Sequence, residues 1–243
     1  MKIKKSNWSR REILSLGSKA GTFLMCGPLF SFTKDPLENI DHIIWAVSNL
    51  DEGIAYIEER TGVKAVVGGV HPGRGTRNAL ISLGKHSYLE IISIDPGQPN
   101  IKNQSTDFIR NLTKPQVMGW AARARDIVAV EKSIRSSKIE IVGPEQGSRK
   151  KPNGTILSWK TIKVLGHDNT IVPFVIEWGK GSTHPSEDSP KGASLLRLQL
   201  GHPRPGEINS FLQAMGLSIR AVKERTPTIM AIIDSPKGQV VLS

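Results

Sequence analysis

Two glutamates interrupt apolar, strand-like segments of this chain, Glu90 in the segment YLEII and Glu177 in the segment FVIEW. Burying an unpaired carboxylate costs several kcal/mol or shifts its pKa until it is neutral, so such a residue usually has a cation or a metal ion as partner. A third apolar segment, DHIIWAV, carries His42 in the same kind of setting. One histidine and two carboxylates on separate strands form a ligand set for a divalent metal ion.

Each of these residues also has a commoner structural explanation. The glutamates would then lie half exposed on edge strands, and the histidine would be hydrogen bonded within the core. The recurrence of the same pattern in one chain favours the metal site, which we predict to consist of His42, Glu90 and Glu177.

Strand alternation predicts where these three side chains point. His42 lies on the face of its strand opposite the fully apolar one, and the apolar face is expected to pack under a helix. The same reasoning places Glu90 on the face of His42. In the later strand we expect Phe174 and Trp178 to cover a helix and Glu177 to point toward the other two ligands.

Hydrophobic periodicity predicts a β-α-β-β-β order that occurs twice and then a third time in shorter form. The first copy comprises a strand at 40–47, a helix at 50–60 and strands at 64–67, 78–83 and 87–94. After a short helix at 106–112, the second comprises a strand at 117–125, a helix at 127–136 and strands at 140–142, 155–164 and 170–178. The third comprises a strand at 195–200, a helix at 206–215 and strands near 219–222, 228–233 and 239–242.

Local signals support the helices and one connection. Asn49 and Asp51 are the candidate N-caps of the first long helix and Asp126 is that of the second, and Gly62 ends the first of them. The stretch at 179–192 is rich in Gly, Ser and Pro, which is typical of a linker.

The formal net charge of +11 does not by itself indicate a nucleic-acid-binding protein. Much of it belongs to residues 1–33, and the remainder is scattered apart from the run at 149–151. We interpret that run as part of a solvated hairpin tip at 148–154, since no interleaved aromatic residues or finger spacing accompany it.

The glycine-rich segment 143–147 lacks the Lys-Ser/Thr of a phosphate-binding loop and is interpreted as a hairpin. The proportions of 38% hydrophobic and 23% charged residues are those of an ordinary globular protein.

The basic N-terminus is typical of a targeting segment. Residues 1–33 hold six basic residues against one acidic residue, and an apolar stretch at 20–32 follows the pair Arg10-Arg11. That stretch is too short for a membrane-spanning helix but fits the apolar region of a signal peptide. The paired arginines resemble the twin-arginine signal of bacterial export. We therefore predict a signal peptide at 1–33, a periplasmic or otherwise exported protein, and no stable membrane span in its mature form; the alternative is an amphipathic N-terminal arm.

The repeated unit, with a histidine on its first strand and a glutamate on its last, resembles the vicinal-oxygen-chelate superfamily, which includes glyoxalase I, methylmalonyl-CoA epimerase and bleomycin-resistance proteins. The segments IDHIIWAV, GVHPGRGTRNAL and YLE are similar, more narrowly, to its glyoxalase-like domain proteins. The resemblance implies an α+β fold in which tandem βαβββ units at 39–95 and 116–179 form a curved mixed sheet across the domain at 39–180. A third, shorter βαβββ-like unit is expected at 193–243.

The resemblance also implies that His42, Glu90 and Glu177 are the metal ligands between the two units. The fourth ligand position of the metal-binding families is not filled, because Gly119 stands opposite His42 when the units are aligned. His71, in a glycine-rich loop at 68–76, could supply a fourth ligand, an acid/base group or a substrate contact. Its alternative is a histidine that hydrogen bonds its own turn.

Four further residues are candidates for binding the substrate. Arg74 and Arg77 could hold a carboxylate or phosphate with paired hydrogen bonds, or could simply be solvated. Asn78 opens a strand and could instead cap the turn. Trp120 could wall the pocket or lie in the core.

The expected function is therefore an exported, metal-dependent enzyme that acts on a small oxygenated substrate. A divalent ion (Zn, Ni, Mn or Fe) would chelate vicinal oxygens, while Glu90, Glu177 or His71 moves a proton. Lyase, isomerase, hydrolase and ring-cleaving dioxygenase reactions all fit, although the missing second-unit histidine counts against an Fe(II) dioxygenase. The alternative is a non-catalytic protein that sequesters a small molecule. A homodimer is compatible with either function, but two units in one chain could close a site alone.

Overall fold

The computed structural model of the chain describes residues 35–151, 153–167 and 170–243. The predicted signal peptide lies outside the described residues. Within them, no helix is long and apolar enough to cross a membrane.

The described residues follow the predicted element order. The first unit comprises β1 (Ile40–Ala46), α1 (Leu50–Thr61), β2 (Val66–His71), β3 (Thr76–Ser82) and β4 (Tyr88–Ile94). Helix α2 (Gln104–Arg110) leads to the second unit, which comprises β5 (Gln116–Arg123), α3 (Ile127–Ser136), β6 (Ile141–Lys150), β7 (Ile156–Val164) and β8 (Phe174–Trp178). After α4 (Pro185–Asp188), the third comprises β9 (Ser194–His202), α5 (Pro205–Ala214), β10 (Ala221–Lys223), β11 (Thr228–Asp234) and β12 (Val240–Leu242).

The first two units share one eight-stranded sheet with the strand order β2-β3-β4-β1-β5-β8-β7-β6. In each unit the last strand lies parallel to the first, and antiparallel pairing of β1 with β5 joins the units. The third unit forms its own sheet in the order β10-β9-β11-β12, so it repeats the element order with a different pairing. The α+β fold with a curved mixed sheet is confirmed.

Side-chain caps begin the helices where the sequence predicts them. The Asn49 side chain accepts a hydrogen bond from the backbone N–H of Asp51 at 2.9 Å, and Asp126 caps α3 in the same way. These bonds satisfy N–H groups that have no partner inside the helix. Gly62 ends α1 with a left-handed φ of 75°, a conformation that costs glycine little.

The large sheet has two unlike faces. The face under the helices carries the main core, in which Ile43, Trp45, Leu89 and Ile91 are almost fully buried. The opposite face carries His42 and Glu90 together with a smaller apolar cluster. The predicted orientations of β1 and β4 are thus confirmed, and they follow from strand alternation.

Curvature of the sheet brings its two edge strands, β2 and β6, into contact. Glycines allow this approach, because a Cβ at Gly69 would lie 3.2 Å from the carbonyl oxygen of Lys150. A Cβ at Gly68 would lie 2.8 Å from Nη1 of Arg149, which is closer than Cβ atoms approach other atoms in real structures. The sheet is therefore strongly curved, and we call its concave face, which carries His42 and Glu90, the cup.

Gly53 sets how closely α1 packs on the sheet, and its replacement provides a test of that packing. A Cβ at Gly53 would lie 3.0 Å from side-chain atoms of Val47 and Ile91. We expect Gly53→Val to lower the free energy of unfolding by about 2 kcal/mol, because overpacking forces the helix from the sheet. The measurement is urea unfolding. Ala55→Val is the matched control, since Ala55 is exposed on the same helix and the change costs only about 0.6 kcal/mol of helix propensity. Equal losses in the two variants would contradict the packing argument.

Candidate functional site

A buried carboxylate, that of Glu90, lies at the centre of the candidate site. Glu90 is 7% exposed and comes from the middle of β4. The side-chain amide of Asn78, on the neighbouring strand β3, donates a hydrogen bond to its Oε1 at 2.5 Å. Nε2 of His42 lies 3.6 Å from Oε2, and Nε2 of His71 lies 3.5 Å from Oε1. The structure therefore brings together four of the predicted site residues, His42, His71, Asn78 and Glu90.

Asp41 fixes the orientation of the His42 ring. Oδ1 of Asp41 lies 2.7 Å from Nδ1 of His42, and Tyr88 stacks on the ring at 4.6 Å between centroids. Because the ionised carboxylate only accepts, Nδ1 carries a hydrogen, and in the neutral form of the ring Nε2 is left with its lone pair. That lone pair faces Glu90.

His71 presents the same kind of atom to Glu90 from the other side. Its Nδ1 lies 2.8 Å from the hydroxyl of Thr76, and its Nε2 lies 3.3 Å from the amide nitrogen of Asn78. With the amide as donor, Nε2 is the acceptor and Nδ1 donates to Thr76. One of the predicted alternatives, a histidine bonded to its own turn, is thus also present, because the Thr76 contact closes the turn between β2 and β3.

These contacts place Nε2 of His42 beside Oε2 of Glu90 and Nε2 of His71 beside Oε1, while Nε2 of His71 also accepts the Asn78 amide N–H. Acceptor atoms that face one another repel unless a cation or a proton lies between them. Two imidazoles and a carboxylate are a donor set used for divalent transition metals, and the contact between Asp41 and His42 is of the kind that orients a ligating histidine. The donor types therefore fit a divalent ion. As placed, no group of three or more His, Cys, Asp or Glu side chains in the described part of the chain has the spacing of a completed metal shell.

Arg149 completes what we call the Glu90 cluster: His42, His71, Asn78, Glu90 and Arg149. Nη1 of Arg149 donates to Oδ1 of Asn78 at 3.1 Å, which fixes the amide with its NH₂ toward Glu90. Arg149 belongs to β6 of the second unit and is 5% exposed. The cluster thus spans the two edges of the curved sheet.

The electrostatics of the cluster keep Glu90 ionised and His71 neutral. Burial tends to raise the pKa of Glu90, but His71, His42, the Asn78 amide and Arg149 together lower it below its ordinary value. Burial lowers the pKa of His71, and only Glu90 opposes this effect. A carboxylate and a neutral imidazole are the protonation states that both a proton acceptor and a metal ligand require.

Asp41 connects the cluster to a second layer of polar groups. Its Oδ2 accepts hydrogen bonds from the indole N–H of Trp178 at 3.0 Å and from Nε2 of His184 at 3.1 Å. Nδ1 of His184 in turn accepts from the backbone N–H of Ser186. The stretch predicted as a linker therefore packs against the site, and its histidine stabilises the carboxylate that orients His42.

Glu177 does not join the site, and its predicted orientation is wrong. Its Oε2 accepts a hydrogen bond from the backbone N–H of Ile127 at 2.7 Å, at the first residue of α3. There the carboxylate satisfies a free N–H group and interacts favourably with the positive end of the helix dipole. Trp178 and Phe174 point into the cup instead. The ring of Phe174 lies edge-on to the ring of His42, with 5.5 Å between the ring centroids.

The register of the strands explains this inversion. The N-caps of α1 and α3 align the two units, so that Ile44 corresponds to Ala121. Ile44 pairs with Glu90 in the first unit, and Ala121 pairs with Phe174 in the second. Phe174 therefore occupies the position of Glu90, and Glu177 lies three residues further along on the helix side.

The remaining predicted substrate contacts lie apart from Glu90. Trp120 is 1% exposed in the core under the helices, and its indole N–H donates to the carbonyl of Ile171 at 2.8 Å, so its predicted role in the pocket is wrong. Arg74 is exposed in the turn between β2 and β3. Arg77 points to the opposite face of β3 from Asn78, because adjacent residues alternate.

Sequence reasoning missed Asp41, His184 and Arg149. Asp41 carried a signal, since an aspartate directly before the candidate histidine is itself a charged residue in an apolar strand. Arg149 was assigned to a solvated hairpin tip, whereas it is a buried residue of β6, and the segment 143–147 also belongs to that strand. Nothing local distinguishes Arg149 from its exposed neighbour Lys150.

Comparison with known proteins identifies the family. A family model described as a glyoxalase-like domain matches residues 40–216, and the chain belongs to this family within the vicinal-oxygen-chelate superfamily. The predicted resemblance is confirmed, and the match extends through β9 and α5. No match was found among curated protein sequences.

Three solved structures illustrate what the chain is similar to. A hypothetical protein from Staphylococcus aureus has 18% sequence identity and a TM-score of 0.58, with 83% of each chain covered. Methylmalonyl-CoA epimerase from Mycobacterium tuberculosis has 17% identity and a TM-score of 0.42, over 58% of this chain and 86% of the epimerase. A variant of the methylmalonyl-CoA epimerase from Streptomyces coelicolor, in complex with 2-nitronate-propionyl-CoA, has 18% identity and a TM-score of 0.44. The match covers 60% of this chain and 97% of that epimerase. The Staphylococcus aureus similarity supports the fold alone.

The role of Asp41 can be tested through the pH dependence of stability. Burial raises the pKa of Asp41, but hydrogen bonds from His184 and His42 outweigh it and lower the pKa from 3.8 to about 2. A lowered pKa means that the ionised carboxylate stabilises the fold above about pH 4 and that this contribution, about 2 kcal/mol, is lost as the pH falls toward 2. We expect Asp41→Asn to be less stable than wild type at neutral pH and to lose less stability between about pH 4 and pH 2.

Urea unfolding at a series of pH values measures this difference. Asp234→Asn is the control, because Asp234 is an exposed aspartate at the end of β11. An Asp41→Asn curve parallel to that of the wild type would show that Asp41 does not act as a buried, hydrogen-bonded carboxylate.

Proposed function

We propose that this protein is a metal-dependent enzyme of the isomerase or lyase type that acts on a small oxygenated substrate in the cup. The observation that carries the proposal is that Nε2 of His42 and Nε2 of His71 lie 3.6 and 3.5 Å from the oxygens of the buried carboxylate of Glu90. These three residues would hold the ion, with Zn, Ni, Mn and Fe as the candidates. When bound, such an ion supplies Lewis-acid stabilisation of negative charge on a substrate oxygen.

Glu90 is the residue proposed to move the proton. Its neighbours lower its pKa below the ordinary value of a glutamate in spite of burial, and it is almost inaccessible to bulk water. A carboxylate in this state accepts a proton from a carbon next to a carbonyl group and returns it to the same or an adjacent atom. Asn78 holds Oε1 of Glu90, which leaves Oε2 for the transfer.

The partners behind the cluster position its members. Asp41 fixes the tautomer and ring plane of His42, and Thr76 does the same for His71. Because these partners are buried, the donor atoms remain in place without a substrate, which lowers the free energy needed to organise the site during reaction. This preorganisation supports catalysis more than passive binding.

A non-catalytic small-molecule-binding protein is the second candidate. The observation that favours it lies in the second unit, where Gly119 and Phe174 occupy the positions that correspond to His42 and Glu90. The second unit therefore has no ligand atoms at the two positions where the first unit has a histidine and a glutamate. It has a residue without a side chain at one position and an aromatic ring at the other. In that case the cup would bind its ligand by shape and charge alone.

Export to the periplasm and a homodimeric state remain proposals that rest on the sequence. The paired arginines and the apolar stretch within residues 1–33 support export.

Metal binding is tested by its effect on thermal stability. An ion that binds only the folded protein stabilises it by about 2.7 kcal/mol at one hundred times its dissociation constant. We expect a chelator to lower the melting temperature of the purified protein and Zn, Ni, Mn or Fe(II) to restore it. The restoration should be much weaker in His42→Ala, His71→Ala and Glu90→Gln.

Glu177→Gln is the matched control for Glu90→Gln, because it removes the same charge from a carboxylate outside the cluster. It should respond to metal as the wild type does. A wild type whose melting temperature responds to neither chelator nor metal would favour the non-catalytic alternative.

Proton transfer is tested by hydrogen exchange with solvent. In D₂O, a catalytic Glu90 should exchange hydrogens next to the carbonyl group of pyruvate, hydroxyacetone or dihydroxyacetone, which ¹H NMR follows as signal loss. We expect exchange above the buffer rate in the wild type and a loss of about 10²-fold or more in Glu90→Gln. Glu145→Gln, at an exposed glutamate of β6, is the control. Wild-type rates equal to the buffer rate for all three compounds count against the proposed reaction class.

A further inference from the structure

Arg149 is a buried cation without a carboxylate partner. Among the described residues it forms no ion pair, and its guanidinium makes one hydrogen bond, from Nη1 to Oδ1 of Asn78. The side chain is only 5% exposed. A guanidinium carries five N–H donors, so most of its hydrogen-bonding capacity is unused by the protein.

The unused donors are not sealed inside the protein. None of the Arg149 nitrogens is both fully buried and unpaired. The remaining N–H groups therefore keep some accessibility, and the bonded end of the guanidinium lies against Asn78 on the Glu90 side of the sheet. A buried charge is stable only when it is paired, and a ligand can supply the pair.

A purely structural role explains this residue less well. Arg149 does connect the two edge strands, and Gly68 leaves room for its guanidinium. A neutral side chain could make the same single hydrogen bond to Asn78 without the cost of burying a charge. The planar guanidinium is instead suited to binding a carboxylate through two parallel hydrogen bonds.

The surroundings of Arg149 also define the group next to that carboxylate. Gly147 lies two residues before Arg149 on the same face of β6, and the indole of Trp159 lies directly over it. A Cβ at position 147 would approach Nε1 of Trp159 to 2.4 Å, so the ring fills the space that a side chain would occupy. An apolar or aromatic surface thus adjoins the guanidinium.

We propose that Arg149 binds the carboxylate of the substrate, and that the substrate is a small carboxylic acid with an oxygen on the neighbouring carbon and an apolar or aromatic substituent. This inference rests on the proposed function, whose substrate class it specifies. The carboxylate binds Arg149 at one end of the Glu90 cluster, and the substituent packs against Trp159.

The test is carried out on chelator-treated protein, so that metal binding and catalysis do not enter the result. Isothermal titration compares three acids with their amides: lactate with lactamide, mandelate with mandelamide, and phenylacetate with phenylacetamide. We expect at least one acid to bind about tenfold or more tightly than its amide, with mandelate tighter than lactate. The preference for the acid does not depend on metal binding or on hydrogen exchange. If those two experiments contradict the proposed function, the binding preference can still be present, so the two proposals can fail separately.

Two variants assign the preference to Arg149. Arg149→Gln should bind acid and amide equally, whereas Arg149→Lys should retain part of the preference because it keeps the charge and loses the planar fork. Lys150→Gln, at the exposed neighbour in β6, is the matched control for the loss of one positive charge. Melting curves show whether each variant is folded.

Three outcomes would overturn the proposal. In the first, no acid binds the wild type more tightly than its amide. In the second, folded Arg149→Gln keeps the wild-type preference. In the third, Lys150→Gln loses the preference for acid over amide to the same extent as Arg149→Gln. If Arg149→Gln does not fold, the wild-type comparison and Arg149→Lys still decide the question.

Discussion

A carboxylate buried in a β-sheet must be compensated, and the arrangement of the whole site follows from that requirement. Glu90 is surrounded by an amide donor, two imidazoles and, through Asn78, a guanidinium. Each neighbour is itself held by another residue: His42 by Asp41 and His71 by Thr76. Because burial magnifies the cost of any unpaired charge, every group must be oriented before the fold is stable. Asn78 and, through it, Arg149 stabilise the charge of Glu90, while the two imidazole nitrogens beside it supply further ligand atoms for a cation.

The two units of the large sheet contribute different parts of this arrangement. The first supplies all the acceptor atoms, from β1, β2 and β4. The second supplies an aromatic ring and a positive charge. Phe174 occupies the position that corresponds to Glu90, and the guanidinium of Arg149 reaches Asn78 from the far edge of the sheet. Curvature makes this possible, because β6 meets β2 only when the sheet closes on itself. Duplication of the unit therefore provides the scaffold, while the chemistry of the site is asymmetric.

Local physical chemistry explains why the sequence predicted some of these features and not others. Strand alternation and helix caps act over a few residues, so the elements, the faces of β1 and β4 and the caps Asn49 and Asp126 were predictable. The face of β8 was not, since its aromatic residues line the cup although apolar side chains ordinarily favour the core. Glu177 binds an N–H of α3, a contact across 50 residues that no local pattern reveals. The burial of Arg149 and the return of His184 to Asp41 likewise depend on the closure of the sheet.

The balance of charge in the cup connects the metal ion with the kind of molecule that can enter. Without metal, the opposite charges of Glu90 and Arg149 lie on either side of Asn78, and Arg149 keeps N–H donors that no described residue uses. Asp41 keeps its negative charge, but His42, His184 and Trp178 already use its oxygens, so it offers none to an ion in the cup. A divalent ion would therefore leave the cup with an excess of positive charge in a region of low dielectric constant, and that excess favours an anionic substrate over a neutral one of the same shape. A neutral analogue would leave Arg149 uncompensated, and the cost of that buried charge is itself a source of specificity.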